Sequence, residues 1–309
     1  MAPTTTDAAK PIVLVHPPLP MFEPQLGAYK VVHLGERAGD VDAVVTVGSH
    51  GLSNDETAAL PRLKLITCLG VGYDGVDVAF CRARGIAVTN GSNINQEDVA
   101  DVAIGLLIGV ARFFPAGQRA LYANTWAKPL AVAPQRRLRG MKLAILGMGA
   151  IGQAIAARAE AMGLAIAWTG PRAKPELRQR YEPDLLKLAA WADALAIACP
   201  GGKATDGIVN AAVIAALGED GIVINIARGS IVDEDALIAA LRAGKLFGAG
   251  LDVFAEEPTP PERWAGLTNV MLTPHLGGGT RDALIGATQN ALENLRRHFA
   301  GEPLLTPVG

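Results

Sequence analysis

Short apolar runs alternate with amphipathic or polar segments along most of this 309-residue chain. In the first 90 residues, runs typical of β-strands lie at 11–15, 43–47, 65–68 and 86–89. A helical pattern then covers 96–119, followed by a Pro- and Arg-containing loop at 128–140. Strands that alternate with helical segments predict parallel sheets joined by crossover helices.

A second and clearer series follows. Its apolar runs lie at 143–146, 164–168, 194–199, 222–226, 248–253 and 270–273. Six parallel strands with intervening helices are typical of a doubly wound Rossmann sheet. Beyond them, 282–299 is predicted to be one amphipathic helix, and the Pro-rich tail 301–309 is expected to pack on the first domain. The prediction is therefore an α/β protein with two Rossmann-like domains, the first of them discontinuous.

Composition favours a small-molecule partner. A formal net charge of -2 gives no general attraction to nucleic acid or to an acidic membrane surface. The longest apolar run, 102–111, has about half of the roughly 20 residues that a membrane-spanning helix needs, so it is predicted to be a buried helix. Residues 1–6 lack the basic start and apolar stretch of a signal peptide, and we expect a short disordered lead.

Cysteine usage indicates a reducing compartment. Cys68, Cys81 and Cys199 are odd in number and far apart, and they show no CxxC spacing. This pattern predicts a cytoplasmic protein, and it gives no support for a metal site.

A glycine fingerprint follows the first strand of the second series. Residues 147–152, GMGAIG, stand directly after the strand and before a segment of helical composition, which is the context that makes G-x-G-x-x-G meaningful. Gly147 permits a tight turn, Gly149 lets the backbone approach a pyrophosphate, and Gly152 allows close helix-to-strand packing. Free N–H groups of the next helix would bind the phosphates. The segment predicts a dinucleotide site, with a purely structural turn as the alternative.

The end of the next strand indicates which dinucleotide is bound. An NAD enzyme would place an acid about 20 residues past the fingerprint, but this chain has Thr169 and Gly170 there. Arg172 and Lys174 can pair with a 2′-phosphate, and Thr169 can donate a hydrogen bond to it. The loop therefore favours NADP(H), the alternative being that the two basic residues are ordinary solvated charges.

Three candidate catalytic side chains, Arg228, Glu257 and His275, each stand shortly after an apolar run of the second sheet. Ligands of open α/β sheets bind outside the carboxyl ends of the strands, so all three are expected near a nicotinamide. Reduction of a 2-oxo acid needs a hydride, a proton and a cation for the carboxylate. We predict His275 as the general acid, Glu257 as the group that stabilises its imidazolium, and Arg228 as the carboxylate-binding fork. Each residue alone has a structural alternative, but together they favour a hydride-transfer enzyme.

These segments resemble the D-isomer-specific 2-hydroxyacid dehydrogenase family over nearly the whole chain. The matching segments are GVGYD at 70–74, VAD at 99–101, the fingerprint, ARGSIVDE at 227–234, LDVF at 251–254 with Glu257 and Pro258, and PHLGG at 274–278. The resemblance implies a substrate-binding, flavodoxin-like domain at 1–98 and 284–309 and an NADP-binding Rossmann domain at 99–283. It also implies a cleft between domains and a homodimer joined mainly through the cofactor domains.

Within the family, the chain looks most like the NADPH-dependent glyoxylate/hydroxypyruvate and hydroxyphenylpyruvate reductases, including the ending GEPLLTP at 301–307. The implied reaction is reduction of small 2-oxo acids to D-2-hydroxy acids by NADPH. Together, the motifs and the resemblance predict the following cofactor-binding residues: Gly147, Gly149, Ala150, Ile151, Gly152, Thr169, Arg172, Lys174, Cys199, Pro200, Thr205, Ile226, Ala227, Arg228, Asp252, His275 and Gly277. The predicted substrate-binding residues are Ser49, His50, Gly51, Leu69, Val71, Gly72, Arg228 and His275, with the Val71 and Gly72 N–H groups cradling the carboxylate.

Several alternatives stay open. The substrate could be hydroxyphenylpyruvate or another bulky 2-oxo acid, and a non-catalytic dinucleotide-sensing relative would keep the same fold. Formate dehydrogenases place a glutamine before the histidine, where this chain has Thr273 and Pro274, and 3-phosphoglycerate dehydrogenases more often use NAD. A histidine at a strand end, such as His50, is more often a polar loop residue than a second general acid. Trp126 and Trp264 could lie in a pocket, in a dimer contact or in the core. Gly201 and Gly202 replace a Leu-Thr pair common in relatives.

Overall fold

A computed structural model of the protein describes residues 10–36, 38–126 and 135–308. The expected disordered lead at 1–6 and the first part of the predicted loop at 128–140 lie outside these ranges. The strands are β1 (Ile12–His16), β2 (Lys30–Val32), β3 (Ala43–Val47), β4 (Leu65–Leu69), β5 (Ala87–Thr89), β6 (Lys142–Leu146), β7 (Ala165–Thr169), β8 (Arg180–Tyr181), β9 (Ala194–Ile197), β10 (Ile222–Asn225), β11 (Gly248–Leu251) and β12 (Val270–Leu272). The α-helices are α1 (Asn54–Ala58), α2 (Val78–Ala83), α3 (Gln96–Ala111), α4 (Phe114–Tyr122), α5 (Ala150–Ala161), α6 (Leu185–Trp191), α7 (Ala211–Leu217), α8 (Glu234–Arg242), α9 (Pro261–Trp264) and α10 (Arg281–Ala300).

The chain divides into two compact units. One, here called the terminal unit, combines the chain up to Asn95 with the segment from Arg281 onward. The other, the central unit, is Gln96–Thr280. The terminal unit is therefore built from both ends of the chain.

The terminal unit contains a five-stranded parallel sheet in the order β2-β1-β3-β4-β5. This is the flavodoxin-like strand order. The sheet is buried on both faces, as parallel sheets require, and α10 packs on one of them through Ala291 and Leu295. The C-terminal tail continues from α10 to the β5 edge of the sheet, where Pro307 forms an antiparallel bridge with Thr89. Sequence patterning missed β2, because a three-residue edge strand with one buried position carries no alternation to detect.

The central unit contains a seven-stranded parallel sheet in the order β12-β11-β10-β9-β6-β7-β8. The strand order reverses between β6 and β9, the position at which Rossmann folds bind dinucleotides. The predicted α/β class with two Rossmann-like parallel sheets is confirmed. The predicted count of six strands is wrong by one, because β8 is a two-residue edge strand without an apolar run.

The single helix predicted over 96–119 is also wrong. Its first part, α3, ends at Ala111, Phe113 takes a left-handed conformation with φ 54°, and α4 then starts with Pro115 in its first turn. Proline lacks the N–H that would continue the helix, so the chain bends by 65° between α3 and α4. Among the described residues no single helix is long and apolar enough to cross a membrane, and only this bent pair meets the length and composition test jointly.

Candidate active site

The glycine loop joins β6 to α5, and its three glycines differ in what surrounds them. Gly147 has φ +98°, and a Cβ there would lie 2.6 Å from the Cys199 Cα. A Cβ on Gly152 would collide with the Gly147 carbonyl. By contrast, nothing lies within 4 Å of a Cβ built on Gly149, the residue that caps α5. The open space thus lies at the N-terminus of a 12-residue helix, which suits the pyrophosphate of a dinucleotide.

The loop after β7 is held close to the glycine loop. Lys174 Nζ donates a hydrogen bond to the Met148 carbonyl at 2.8 Å. Thr169 is buried, and its hydroxyl donates to the Pro183 carbonyl at 3.4 Å. Arg172 is exposed. Lys174 is therefore anchored to the protein, which leaves Arg172 as the more available cation of the predicted 2′-phosphate site.

The segment after β9 forms a tight turn beside the glycine loop. The Thr205 hydroxyl donates to the Pro200 carbonyl at 2.8 Å and lies 3.0 Å from the Gly202 carbonyl. Gly202 has φ 127°, a conformation that favours glycine over a residue with a side chain. Burial raises the pKa of the Cys199 thiol to about 11, so the thiol stays protonated at neutral pH. Cys199 therefore contributes backbone rather than thiolate chemistry to this loop.

Arg228 stands after β10 on a loop tied down by Asn225. The Asn225 side chain is 1 % exposed. Its amide donates to the Arg228 carbonyl at 2.9 Å and its oxygen accepts from the Ala227 N–H at 3.1 Å. The guanidinium donates to the Ala227 carbonyl at 2.6 Å. Ile226 and Ala227 are both buried, so the loop leading to the guanidinium is fixed on both sides.

A short hydrogen bond joins the side chains of Glu257 and His275. Glu257 Oε2 lies 2.7 Å from His275 Nδ1, and both side chains are partly exposed. The other carboxylate oxygen of Glu257 accepts from the Phe254 N–H at 3.0 Å. With Nδ1 engaged by the carboxylate, Nε2 is the ring nitrogen left to exchange a proton with a substrate.

His275 has a left-handed backbone with φ +51°, which is uncommon for a residue with a Cβ. Asp252 holds this conformation. Its carboxylate is buried and accepts from the Thr273 hydroxyl at 2.6 Å and from the Leu276 and Gly277 N–H groups at 2.8 Å each. The structure therefore shows Asp252 as a positioning residue for the His275 loop.

A second buried carboxylate supports the Glu257 loop. Glu234, 6 % exposed, accepts from the Ala255 N–H at 2.6 Å and from Arg263 Nε at 2.9 Å. The Arg228 loop and the Glu257 loop also touch directly, because a Cβ on Gly229 would collide with the Phe254 backbone. The loop that carries Arg228 and the loop that carries Glu257 are thus packed against each other.

The predicted substrate-binding residues all lie in the terminal unit, apart from Arg228 and His275. Leu69 ends β4, and Val71 and Gly72 follow it. The loop from Ser49 to Gly51 packs on this turn, since a Cβ on Gly48 would collide with the Gly72 carbonyl and one on Gly51 with the Gly75 carbonyl. His50 is exposed and its ring lies 3.5 Å from the Ser49 hydroxyl. The structure brings the two predicted substrate loops together.

Val71 and Gly72 also leave backbone donors available. Across residues 10–36, 38–126 and 135–308, no group accepts a hydrogen bond from either N–H. Two adjacent free donors after a strand can bind a carboxylate without adding a formal charge.

Sequence reasoning missed the residues that hold the catalytic loops, chiefly Asn225, Glu234 and the hydroxyl of Thr273. A signal was present, because Asn225 is a polar residue at the end of the apolar run IVIN, and a buried polar side chain needs partners. Of the two tryptophans considered, Trp264 is buried, and its Nε1 donates to Thr259 at 2.9 Å. Trp126 is 60 % exposed.

Comparison with known proteins agrees with this geometry. The family model described as "D-isomer specific 2-hydroxyacid dehydrogenase, NAD binding domain" matches residues 104–277. A glyoxylate/hydroxypyruvate reductase of Arabidopsis thaliana is 39% identical over 88% of this chain and 84% of its own length. A hydroxyphenylpyruvate reductase of Plectranthus scutellarioides is 40% identical over 89% and 88%.

Among solved structures, an NADPH-dependent glyoxylate/hydroxypyruvate reductase of Sinorhizobium meliloti, in complex with NADP and malonate, superposes with a TM-score of 0.91. It is 36% identical to this chain, and 97% of each chain is covered. The central unit is thus a nicotinamide-dinucleotide-binding domain, and the relatives are oxidoreductases. This chain belongs to the D-isomer-specific 2-hydroxyacid dehydrogenase family.

Proposed function

We propose that this enzyme reduces small 2-oxo acids, such as glyoxylate and hydroxypyruvate, to 2-hydroxy acids with NADPH, and that it gives the D-isomer where the product is chiral. The observation that carries the proposal is the 2.7 Å Glu257–His275 pair in the same unit as Arg228 and the open Gly149 turn. Two relatives with high coverage are named for glyoxylate and hydroxypyruvate, and one of these is named as NADPH-dependent.

The protein's own groups have separate roles in this reaction. The bound nicotinamide supplies the hydride that becomes the C2 hydrogen of the product. His275 Nε2 donates a proton to the C2 oxygen, and the Glu257 carboxylate stabilises the imidazolium before that transfer. Arg228 binds the substrate as a planar fork and polarises its carbonyl group. One hydride and one proton are added, so a 2-oxo acid becomes a 2-hydroxy acid.

The substrate carboxylate is assigned to the Val71 and Gly72 N–H groups as well as to Arg228. Support comes from the free backbone donors on that turn and from its packing against the loop that carries Ser49 and His50. His50 is assigned to the pocket wall rather than to a second acid. The cytoplasmic location predicted from cysteine usage and the homodimer implied by the resemblance stay predictions.

An assay of NADPH absorbance over a panel of 2-oxo acids tests the proposal. We expect turnover of glyoxylate and hydroxypyruvate, with a higher kcat/KM than for hydroxyphenylpyruvate. A reversed order would establish the bulky-substrate alternative. NADPH binding without turnover of any panel member would instead favour a dinucleotide-sensing protein and refute the proposed reaction.

The cofactor preference has its own test. Replacing Arg172 with Ala is expected to raise the KM for NADPH about tenfold and to leave the KM for NADH nearly unchanged, because one charge-assisted contact to the 2′-phosphate is lost. Replacing Lys174 with Ala should have a smaller selective effect, since its ammonium is already bound to Met148.

Arg178 provides the matched control. It is an exposed arginine of the same loop, and it pairs with Glu160. Arg178→Ala should keep the NADPH to NADH ratio of the parent. If Arg172→Ala keeps that ratio as well, the determinant lies elsewhere.

A further inference from the structure

A buried polar cluster joins α10 to the C-terminal tail of the terminal unit. Its centre is Asn294, which is 0 % exposed. The Asn294 amide nitrogen lies within 3.1 Å of the Asn290 carbonyl, the Asn290 side-chain oxygen and the Thr306 hydroxyl. Its side-chain oxygen accepts from the Leu305 N–H at 2.9 Å and from the Thr306 N–H at 3.4 Å. The tail is therefore fixed at Thr306 by a side chain that water does not reach.

Thr306 forms two hydrogen bonds with Asn90, the residue after β5. Its hydroxyl donates to the Asn90 carbonyl at 2.6 Å, and the Asn90 N–H donates to the Thr306 carbonyl at 3.3 Å. Asn90 is 3 % exposed. Buried polar groups of this kind are costly to leave unpaired, so the reciprocal bonds hold the Asn90 backbone in one place.

Asn90 in turn binds the turn that follows β4. Its side-chain amide donates to the Val71 carbonyl at 2.7 Å, while its side-chain oxygen accepts from Ser92 at 2.6 Å. The next residue, Gly91, donates its N–H to the Gly70 carbonyl at 2.6 Å. Asn90 and Gly91, the two residues after β5, thus bind the carbonyl groups of Val71 and Gly70, which lie on either side of the Val71 N–H.

The orientation of the Val71 carbonyl decides where the next N–H points. A trans peptide unit is planar, and its C=O and N–H bonds point in opposite directions. Because Asn90 holds the Val71 carbonyl on one side, the Gly72 N–H must point to the other. This is one of the two free donors that we assign to the substrate carboxylate.

We propose that Thr306 is a positioning residue for substrate binding: through Asn90, the C-terminal tail sets the orientation of the Val71–Gly72 peptide that receives the carboxylate. The inference rests on the proposed function for the role of that peptide. The connection from Thr306 to Val71 rests on the hydrogen bonds alone. Loss of the Thr306 hydroxyl leaves the Asn90 carbonyl without its closest donor and widens the range of peptide orientations.

The test compares Thr306→Val, which keeps the shape but removes the hydroxyl, with the conservative Thr306→Ser. Thr306→Val should raise the KM for glyoxylate about three- to tenfold, as expected for one buried hydrogen bond. The dissociation constant of NADPH, measured by fluorescence titration, should stay within about twofold of the parent. Thr306→Ser should restore the KM for glyoxylate. Hydrogen–deuterium exchange of the Gly91 amide should be faster in Thr306→Val than in the parent.

Glu302→Gln is the matched control on the same tail. It removes exposed ion pairs to Arg296 but no bond to Thr306. Its KM for glyoxylate and its Gly91 exchange should equal those of the parent. A Thr306→Val enzyme that loses thermal stability but keeps its KM and its Gly91 exchange would overturn the inference, as would equal KM changes in the valine and Glu302→Gln variants.

The exchange measurement separates this inference from the proposed function. If the parent enzyme turns over no 2-oxo acid, the proposed function fails, and faster exchange at Gly91 still supports the connection between Thr306 and the turn. If the parent is active and the exchange is unchanged in Thr306→Val, the inference fails and the proposed function stands.

Discussion

Replacing His275 with Ala is expected to lower kcat for a 2-oxo acid by about 10²- to 10⁴-fold while the affinity for NADPH stays nearly constant. The reason is that His275 Nε2 is assigned as the proton donor, with Nδ1 occupied by Glu257 at 2.7 Å. Steady-state kinetics of glyoxylate reduction and fluorescence titration of NADPH measure the two quantities. Glu257→Gln should show an intermediate loss of kcat, because a neutral amide can hold the ring but cannot stabilise its charge.

His33→Ala is the matched control for the histidine. His33 also lies near a glutamate, Glu23, at 3.7 Å, but it belongs to the terminal unit and lies far from the catalytic residues in sequence. Its kcat should equal that of the parent. A His275→Ala enzyme with the kcat of the parent would remove the proton donor from the proposal and leave the general acid to be found elsewhere.

The second large effect is expected at Arg228. Replacing it with Ala should lower kcat/KM for glyoxylate by about 10²- to 10³-fold, with a clear rise in KM, because the substrate loses the cation that binds its carboxylate and polarises its carbonyl. Arg228→Lys should recover only part of the loss, since an ammonium keeps the charge but not the planar fork. Initial rates over a wide range of glyoxylate concentrations measure both constants.

Arg242→Ala is the control for removal of a guanidinium. Arg242 lies in the last turn of α8, where it donates to the Arg263 carbonyl at 3.4 Å. Its kinetic constants should match those of the parent. An unchanged KM for glyoxylate in Arg228→Ala would show that the carboxylate is bound by other groups.

Much of this site was predictable because the determining signals are local. The glycine spacing at 147–152 stands between a strand and a helix, and the Arg, Glu and His each follow an apolar run. In a parallel sheet such positions collect at one edge. The spacing and the strand ends therefore identified the residues that the structure joins as the Glu257–His275 pair.

What the sequence did not predict depends on partners that are distant along the chain. Glu234 supports the Glu257 loop through Ala255 and Arg263, which lie 21 and 29 positions further along the chain. Thr306 contacts Asn90 across 216 positions of the sequence. The short edge strands β2 and β8 were missed because they are stabilised by pairing with a neighbour rather than by a periodic pattern of their own.

The contact between Gly229 and the Phe254 backbone has a consequence for attempts to redesign the enzyme. Any side chain introduced at position 229 must displace the segment that leads to Glu257. Libraries that randomise this position alone would disturb the guanidinium and the carboxylate together, and so sample mostly inactive enzymes. Altered substrate range is better sought in the loop around Ser49 and His50, whose side chains take no part in the hydrogen bonds that hold the Arg228 and Glu257 loops.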